Sequence, residues 1–345
     1  MAPASLSRPR DSFALETAGL LASHPPASIS PRIIETLKRY ATHARGAFSE
    51  QTIRAIRSDT RIFFDWCGAN NITPLPATPE AVAGFVDAMA AEGKAPATIR
   101  RYIASIGHLH IAADLETPTH KQIVRLALSR HARQRGTEQA QALGATRRYI
   151  DLILHIPGSS LLMARDKALI ATAYDTMARR SELVAIRKSD LQFNADGDAV
   201  IRIRRSKTDQ EGEGAFRYVA PDTAALLKEW IARAGLGDGA GDAPLFRSVR
   251  KGGRQIGEGL SPYDVTRIIK RLAKQAGFAP DITARLSSHS PRIGATQDME
   301  AYDISMAGIM LAAGWKSPTM VARYTRQQAA ARSGAARLAQ RQNRV

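Results

Sequence analysis

The chain has 345 residues, with 49 Lys+Arg against 32 Asp+Glu, a formal net charge of +17 and 44% hydrophobic residues. That apolar share supplies a core and excludes a wholly disordered chain, and no apolar run reaches the roughly 18 residues that a membrane-crossing helix needs. A single cysteine, Cys67, excludes an internal disulfide and any cysteine-cluster metal site, and the residues after Met1 lack the apolar stretch of a signal peptide, so the protein is expected inside the cell. The length predicts about two domains. The charge predicts a polyanionic partner, nucleic acid before an acidic membrane surface, because each phosphate neutralised by Lys or Arg releases condensed counterions.

In chain order, residues 1–32 are rich in Ser, Pro and Ala and are expected as a flexible tail. Residues 33–135 read as an all-helical domain. Helix 49–70 opens on Ser49, and its apolar residues Ile53, Ile56, Ile62, Phe63 and Trp66 fall mostly on one face. Thr78 is the N-cap expected before Pro79, and further helices are expected near 79–91, 96–114 and 119–135. Polar residues with two glycines make 136–144 a linker. The second domain, 145–345, starts with helical pattern, and 166–186 reads as one long helix. Residues 199–204 alternate as a half-exposed strand, 210–214 form a turn and 216–219 return, giving a β-hairpin with Lys207 at the start of its turn. Helices are expected near 221–234, 261–276, 292–302, 304–313, 317–324 and 327–340. The fold class is therefore mainly α: an all-helical first domain, then a helical α+β domain with a small antiparallel sheet. Basic residues gather in three places, 120–136, 201–207 and 247–254, which suits a long surface around a polyanion.

Four elements in the second domain line up. Arg179 stands three residues before Glu182 in an R-x-x-E pattern; Lys207 follows on the hairpin; His289 and Arg292 form H-x-x-R; and Gly314-Trp315 lies nine residues before Tyr324. Arg179 is preferred to Arg180 because only Arg179 has that spacing to Glu182. Tyr302 and Tyr218 are the rival tyrosines, and the position after Gly-Trp selects Tyr324. The ordered set resembles the tyrosine recombinase (phage integrase) family, from about residue 33 to the C-terminus. Two departures stand out. Ile293 follows the H-x-x-R arginine where many members carry a second His, and Thr176-Met-Ala178 precedes the first arginine where many carry Thr-Gly-Leu.

The resemblance implies a site-specific recombinase that cleaves and religates DNA through a 3′-phosphotyrosine and a Holliday junction, without ATP, metal or other cofactor. A tyrosine hydroxyl can attack phosphorus and keep the bond energy in an ester. In that chemistry Tyr324 is the nucleophile and His289 its base or hydrogen-bond partner. Arg179 and Arg292 hold the non-bridging oxygens, helped by the Trp315 indole N–H, while Lys207 is the acid for the departing oxygen and Glu182 orients the site. The resemblance also implies a C-shaped clamp on double-stranded DNA with inverted-repeat sites, a homotetramer on two such sites, and a C-terminal helix that docks in trans. DNA contacts are expected from Arg100, Arg101, Lys121, Arg125, Arg130, Arg133, Arg204, Arg205 and Arg254. The setting expected is the cytoplasm of a prokaryotic cell, on its nucleoid, from a phage, plasmid or chromosomal gene, with no membrane partner. The alternatives are a type IB topoisomerase-like or telomere-resolving enzyme, which use the same nucleophile, and a non-catalytic DNA-binding regulator.

Overall fold

The computed structural model describes residues 29–136, 141–206, 213–237, 241–250, 252, 255–331 and 333–344. The chain divides between Gln139 and Ala140 into two compact units. Most of the expected tail, Lys207, Arg254 and part of the expected linker lie outside the described residues.

The first unit is built from α1 (Pro31–His43), α2 (Glu50–Ala69), α3 (Pro79–Ala91), α4 (Pro96–Ala112) and α5 (Gln122–Arg135). Helix α1 takes in the last residues of the expected tail because Ser30 caps it and Pro31 sits in its first turn. Ser49 and Thr78 cap α2 and α3 by accepting the N–H groups of Thr52 and Ala81. The core is aromatic at its centre, with Phe63, Phe85 and Trp66 in mutual ring contact at 5.1–6.3 Å between centroids. Val82, Ile99 and Ile106 close around them. One buried carboxylate interrupts this core. Asp59 accepts from Arg101 at 2.5 Å and from Ser105 at 2.9 Å, so a group whose burial pushes its pKa up has its lone pairs occupied.

The second unit is mainly α. It contains α6 (Arg147–Leu154), α7 (Leu161–Asp175), α8 (Arg180–Ala185), α9 (Pro221–Arg233), α10 (Pro262–Gln275), α11 (Pro280–Arg285), α12 (Ser290–Ala301), α13 (Met306–Ala313), α14 (Thr319–Ala331) and α15 (Gly334–Arg341). Strands β1 (Leu191–Phe193), β2 (Ala199–Ile203) and β3 (Ala215–Val219) form an antiparallel sheet in that order, and β4 (Arg247–Val249) pairs with β5 (Ile256–Gly259). The expected hairpin is present, with Ile201 opposite Arg217 and Ala199 opposite Val219. The basic stretch at 247–254 contributes β4, which its charge had masked.

Helix α7 runs through the main core, with Ala168, Leu169 and Ile170 fully buried against the sheet, α9 and α10. Trp230 is anchored there by donating its indole N–H to the Leu245 carbonyl at 2.8 Å. A second, smaller apolar cluster joins Met177, Ala295, Ile309, Ala313, Trp315 and Val321.

Two expectations fail on helix boundaries. Residues 166–186 are not one helix: α7 stops at Asp175, Met177 turns left-handed with φ 52°, and α8 starts after Arg179. Residues 327–340 are not one helix either. Helix α14 continues through Tyr324 to Ala331, and Ser333 then caps α15 through the Ala336 N–H. In both places a local turn outweighs an unbroken helical composition.

Gly294 in α12 lies against the Ala145 backbone, and a Cβ there would meet the Ala145 carbonyl. The same contact is fixed by the Ala145 N–H donating to the Ser290 carbonyl at 2.8 Å. Gly294→Ala is therefore expected to lower stability by about 1–3 kcal/mol, as overpacking does. Urea denaturation followed by circular dichroism checks it, and an unchanged midpoint would contradict the close approach.

Candidate active site

The site begins at the break after α7. Thr176 ends that helix by donating its hydroxyl to the Thr172 carbonyl at 2.6 Å. Met177 then reverses the chain, and Arg179 becomes the N-cap of α8. Glu182 accepts the Arg179 backbone N–H at 2.8 Å with one oxygen and the Arg179 guanidinium at 2.7 Å with the other. The R-x-x-E spacing thus serves two purposes: it caps a helix and fixes the orientation of a guanidinium.

His289 immediately precedes α12, and Arg292 sits in its first turn. Arg292 is 3% exposed. Its guanidinium donates to the Met177 carbonyl and, at 2.8 Å, to the Ala313 carbonyl. It also lies 4.7 Å from the centroid of the Trp315 ring. Trp315 reaches that position because α13 ends in a Schellman turn. Gly314 adopts φ 65°, its N–H bonds to the Leu311 carbonyl, and the Trp315 N–H bonds to the Met310 carbonyl at 2.9 Å. Tyr324, in α14, packs its ring 5.6 Å from that of Trp315, and Gln297 donates its side-chain amide to the Tyr324 backbone carbonyl at 3.2 Å.

The electrostatics agree with this convergence. Burial pushes the Arg292 pKa down to about 10, and the Arg179 guanidinium adds to that, while Glu182 and Tyr324 oppose it. Arg292 still carries its charge at neutral pH. Burial also lowers His289, reinforced by Arg292, Arg180 and Arg179 and opposed by Glu182. The imidazole is therefore neutral at pH 7 and has a lone pair to offer.

Arg179, Glu182, His289, Arg292, Trp315 and Tyr324 are thus brought together. Arg180 stacks 5.0 Å over the Tyr263 ring, and it reaches His289 through its charge. Tyr302 and Tyr218 are exposed, Tyr302 after the end of α12 and Tyr218 on the outer face of β3. Of the expected DNA contacts, Arg101, Lys121, Arg130 and Arg204 are engaged with Asp59, Glu116, Asp87 and Asp190. Arg100, Arg125, Arg133 and Arg205 stand exposed. Among the described residues no cluster of His, Cys, Asp or Glu could hold a metal ion, and no helix is long and apolar enough to cross a membrane.

Three contributors escaped the sequence reading: Met177, Gln297 and Arg217. Only Arg217 left a signal, since strand alternation places it on the same face as buried Val219. It donates to the Leu311 carbonyl at 3.2 Å.

Residues 146–331 match the model of the phage integrase family. The chain belongs to the phage integrase family of tyrosine recombinases. It is 32% identical over 290 residues to an integrase/recombinase XerD homolog of Selenomonas ruminantium, covering 81% of this chain and 82% of that protein. It is 30% identical over 295 residues to the Cre recombinase of Escherichia phage P1, covering 82% of this chain and 85% of Cre. The fold of this chain is also that of the XerH site-specific recombinase in a post-cleavage complex with palindromic difH substrate, with a TM-score of 0.61 at 15% identity, over 92% of this chain and 94% of that one. A lambda integrase tetramer bound to a Holliday junction gives 0.56 at 19%, over 88% and 80%. The chain is a site-specific tyrosine recombinase, Cre-like in its relatives.

The placement of Glu182 makes a prediction that needs no substrate. His289 should titrate below the ordinary imidazole value of 6.5. Because the Glu182 carboxylate raises that pKa, Glu182→Gln should move the titration further toward acid. Imidazole NMR resonances followed against pH check both, and a shift toward alkali in the variant would reverse the assigned electrostatics.

Proposed function

We propose that this recombinase cuts and rejoins duplex DNA by forming a 3′-phosphotyrosine on Tyr324, working on inverted-repeat sites through a Holliday junction and without metal or ATP. The observation that carries the reading is the convergence of two arginines, a neutral histidine, an indole and a tyrosine on one apolar floor. The Tyr324 oxygen attacks phosphorus, the P–O bond to the 5′-oxygen breaks, and the bond energy stays in the new ester. A phenol with an unperturbed pKa near ~10 needs a proton acceptor, and neutral His289 supplies one. Arg179 and Arg292 face the charge that builds on the non-bridging oxygens, and the Trp315 N–H adds a neutral donor. Arg292 has spent one N–H on each of two carbonyls, and its remaining N–H groups are those it would offer the phosphate. Lys207, between β2 and β3, is proposed as the acid that protonates the leaving oxygen.

DNA is the proposed partner of both units, which we assign as a helical core-binding domain (33–135) and a catalytic domain (145–345) joined by 136–144. The exposed Arg100, Arg125, Arg133 and Arg205 are assigned to phosphate contacts, and Arg254 is assigned the same role from its place in the basic stretch 247–254. Arg101, Lys121, Arg130 and Arg204 would first have to exchange a carboxylate for a phosphate. The XerH and lambda integrase complexes support DNA as the ligand and a tetramer as the assembly. Helix α15 supports assembly too. It buries none of its residues, Leu338 is half exposed, and the same unit exposes Tyr302, Ile304, Met306 and Leu311. We assign α15 to docking on a neighbouring subunit at that face. With bacterial and phage relatives, the proposed place of action is DNA in the cytoplasm of a bacterial cell.

Covalent trapping on a random library of inverted-repeat duplexes, with sequencing of the attached DNA, tests the reading. Wild type should yield a phosphotyrosine adduct in EDTA and without ATP, and Tyr324→Phe should bind the selected duplex yet form none. An adduct in the variant would remove the nucleophile assignment; strict Mg²⁺ dependence would indicate a metal nuclease. Relaxation of plasmid lacking the site would favour a topoisomerase, and hairpin-ended products a telomere resolvase.

The pH dependence has a definite sign. His289 must be unprotonated to accept, and its pKa lies below 6.5, so the single-turnover cleavage rate should hold steady from neutral pH to below 6.5 and fall only in more acid solution. His289→Gln should lose that acid limb as well as rate.

A chain shortened after Ala331 should bind a single site but lose cooperative assembly on two. Sedimentation of the protein–DNA complex checks this, and an unchanged tetramer would contradict the docking role of α15.

A further inference from the structure

Arg217 lies on β3, on the sheet face it shares with Val219, opposite Ile201. Its neighbours on the strand, Phe216 and Tyr218, point outward and are exposed, whereas Arg217 is only partly accessible. A guanidinium turned inward from a sheet needs acceptors, and this one finds them in α13, 94 residues along the chain, and on its own strand. It donates to the Leu311 carbonyl at 3.2 Å and, less closely, to its neighbour's carbonyl at Phe216 at 3.4 Å. The Leu311 carbonyl is the one that also receives the Gly314 N–H in the turn leading to Trp315. The guanidinium lies so near Gly314 that a Cβ at that position would collide with it. Gly314 is favoured for its left-handed φ of 65°, and its missing Cβ leaves the space that the end of the Arg217 side chain fills.

We propose that Arg217 is a positioning residue for DNA cleavage: it ties the hairpin strand β3 to the α13–Trp315 turn and so sets where Trp315 and Tyr324 stand relative to Arg292. Strand β3 leads back from the loop that holds Lys207. The Leu311 turn leads forward to Trp315, whose ring touches both Arg292 and Tyr324. One side chain thus joins the segment proposed to supply the acid to the segment proposed to supply the nucleophile. The site's electrostatics place it in the same neighbourhood, since Glu182 and Arg179 both act on the half-buried Arg217 charge. The inference rests on the recombination reading for its link to cleavage, but not for its link to the turn.

The experiment has two arms. In the first, hydrogen–deuterium exchange is measured on the full-length protein alone. Arg217→Ala should speed exchange at the Gly314 and Trp315 amides, and Arg217→Lys should restore most of the protection. In the second, single-turnover cleavage is measured on the duplex that wild type traps from the inverted-repeat library. Arg217→Ala should cleave about 100-fold more slowly at saturating DNA, as small misplacements of reacting groups do, with its affinity for the duplex unchanged. Arg217→Lys should regain most of that rate. Exchange at 314–315 that matches wild type in Arg217→Ala overturns the proposal. So does a variant that loses affinity but cleaves normally once saturated, which would make Arg217 a phosphate contact instead. An adduct that survives in Tyr324→Phe strikes the recombination reading beneath, while the exchange arm, which needs neither DNA nor the tyrosine, still decides the link between Arg217 and the turn.

Discussion

A guanidinium at 3% exposure is the constraint around which the second unit is arranged. Arg292 cannot shed its charge at neutral pH, so burying it demands acceptors of fixed direction. The protein provides main-chain carbonyls from two distant stretches, Met177 and Ala313. Each of those carbonyls sits at a turn with a left-handed residue, Met177 itself in one case and Gly314 in the other. Once both turns are held by the same side chain, their next residues follow: Arg179 and Glu182 from the first, Trp315 and then Tyr324 from the second. Stability and site geometry therefore rest on one group.

The charge pattern follows from that choice. Burial lowers the pKa of Arg217 and of Arg292, Arg179 lowers both further and Arg217 adds to the shift of Arg292, while one largely buried carboxylate, Glu182, works against the repulsion. Such a cluster is strained as a set of like charges and is relieved by an anion. Burial first, and then the same field, holds the His289 pKa below the ordinary imidazole value. The field that would stabilise a pentacoordinate phosphorus thus works in the same direction as burial in keeping the proposed base in its working form.

Much of this was legible in the chain. Helical periodicity and N-cap residues located α2, α3 and α4, and strand alternation located the β2–β3 hairpin. The spacing of Arg179 to Glu182 separated two adjacent arginines that composition cannot tell apart, and the structure sends them to different partners. What stayed hidden depended on distant contacts. The break at 176–179 carries no proline or glycine, and the carbonyl it exposes at Met177 is met by Arg292 from α12. Strand alternation turns Arg217 toward the face of Val219, but its acceptor, far along the sequence at Leu311, is not readable from the chain. The clusters read as phosphate contacts were half committed: Arg101 answers a buried Asp59 and Arg204 a buried Asp190, needs set by burial and not by ligand.

Met177 is a departure from a family pattern, and its burial shows how the chain accommodates it. Many members place glycine where this chain has methionine, and a left-handed φ explains the preference for glycine. Holding a side chain in that conformation costs about 1–2 kcal/mol. Fully burying a methionine side chain contributes about 1.5–3 kcal/mol. Met177 is fully buried in the apolar cluster beneath Trp315 and Tyr324, and the next residue, where those members carry leucine, is the small Ala178. The apolar volume has moved one position along the chain. The strain is offset by burial, and the left-handed turn leaves the Met177 carbonyl facing Arg292.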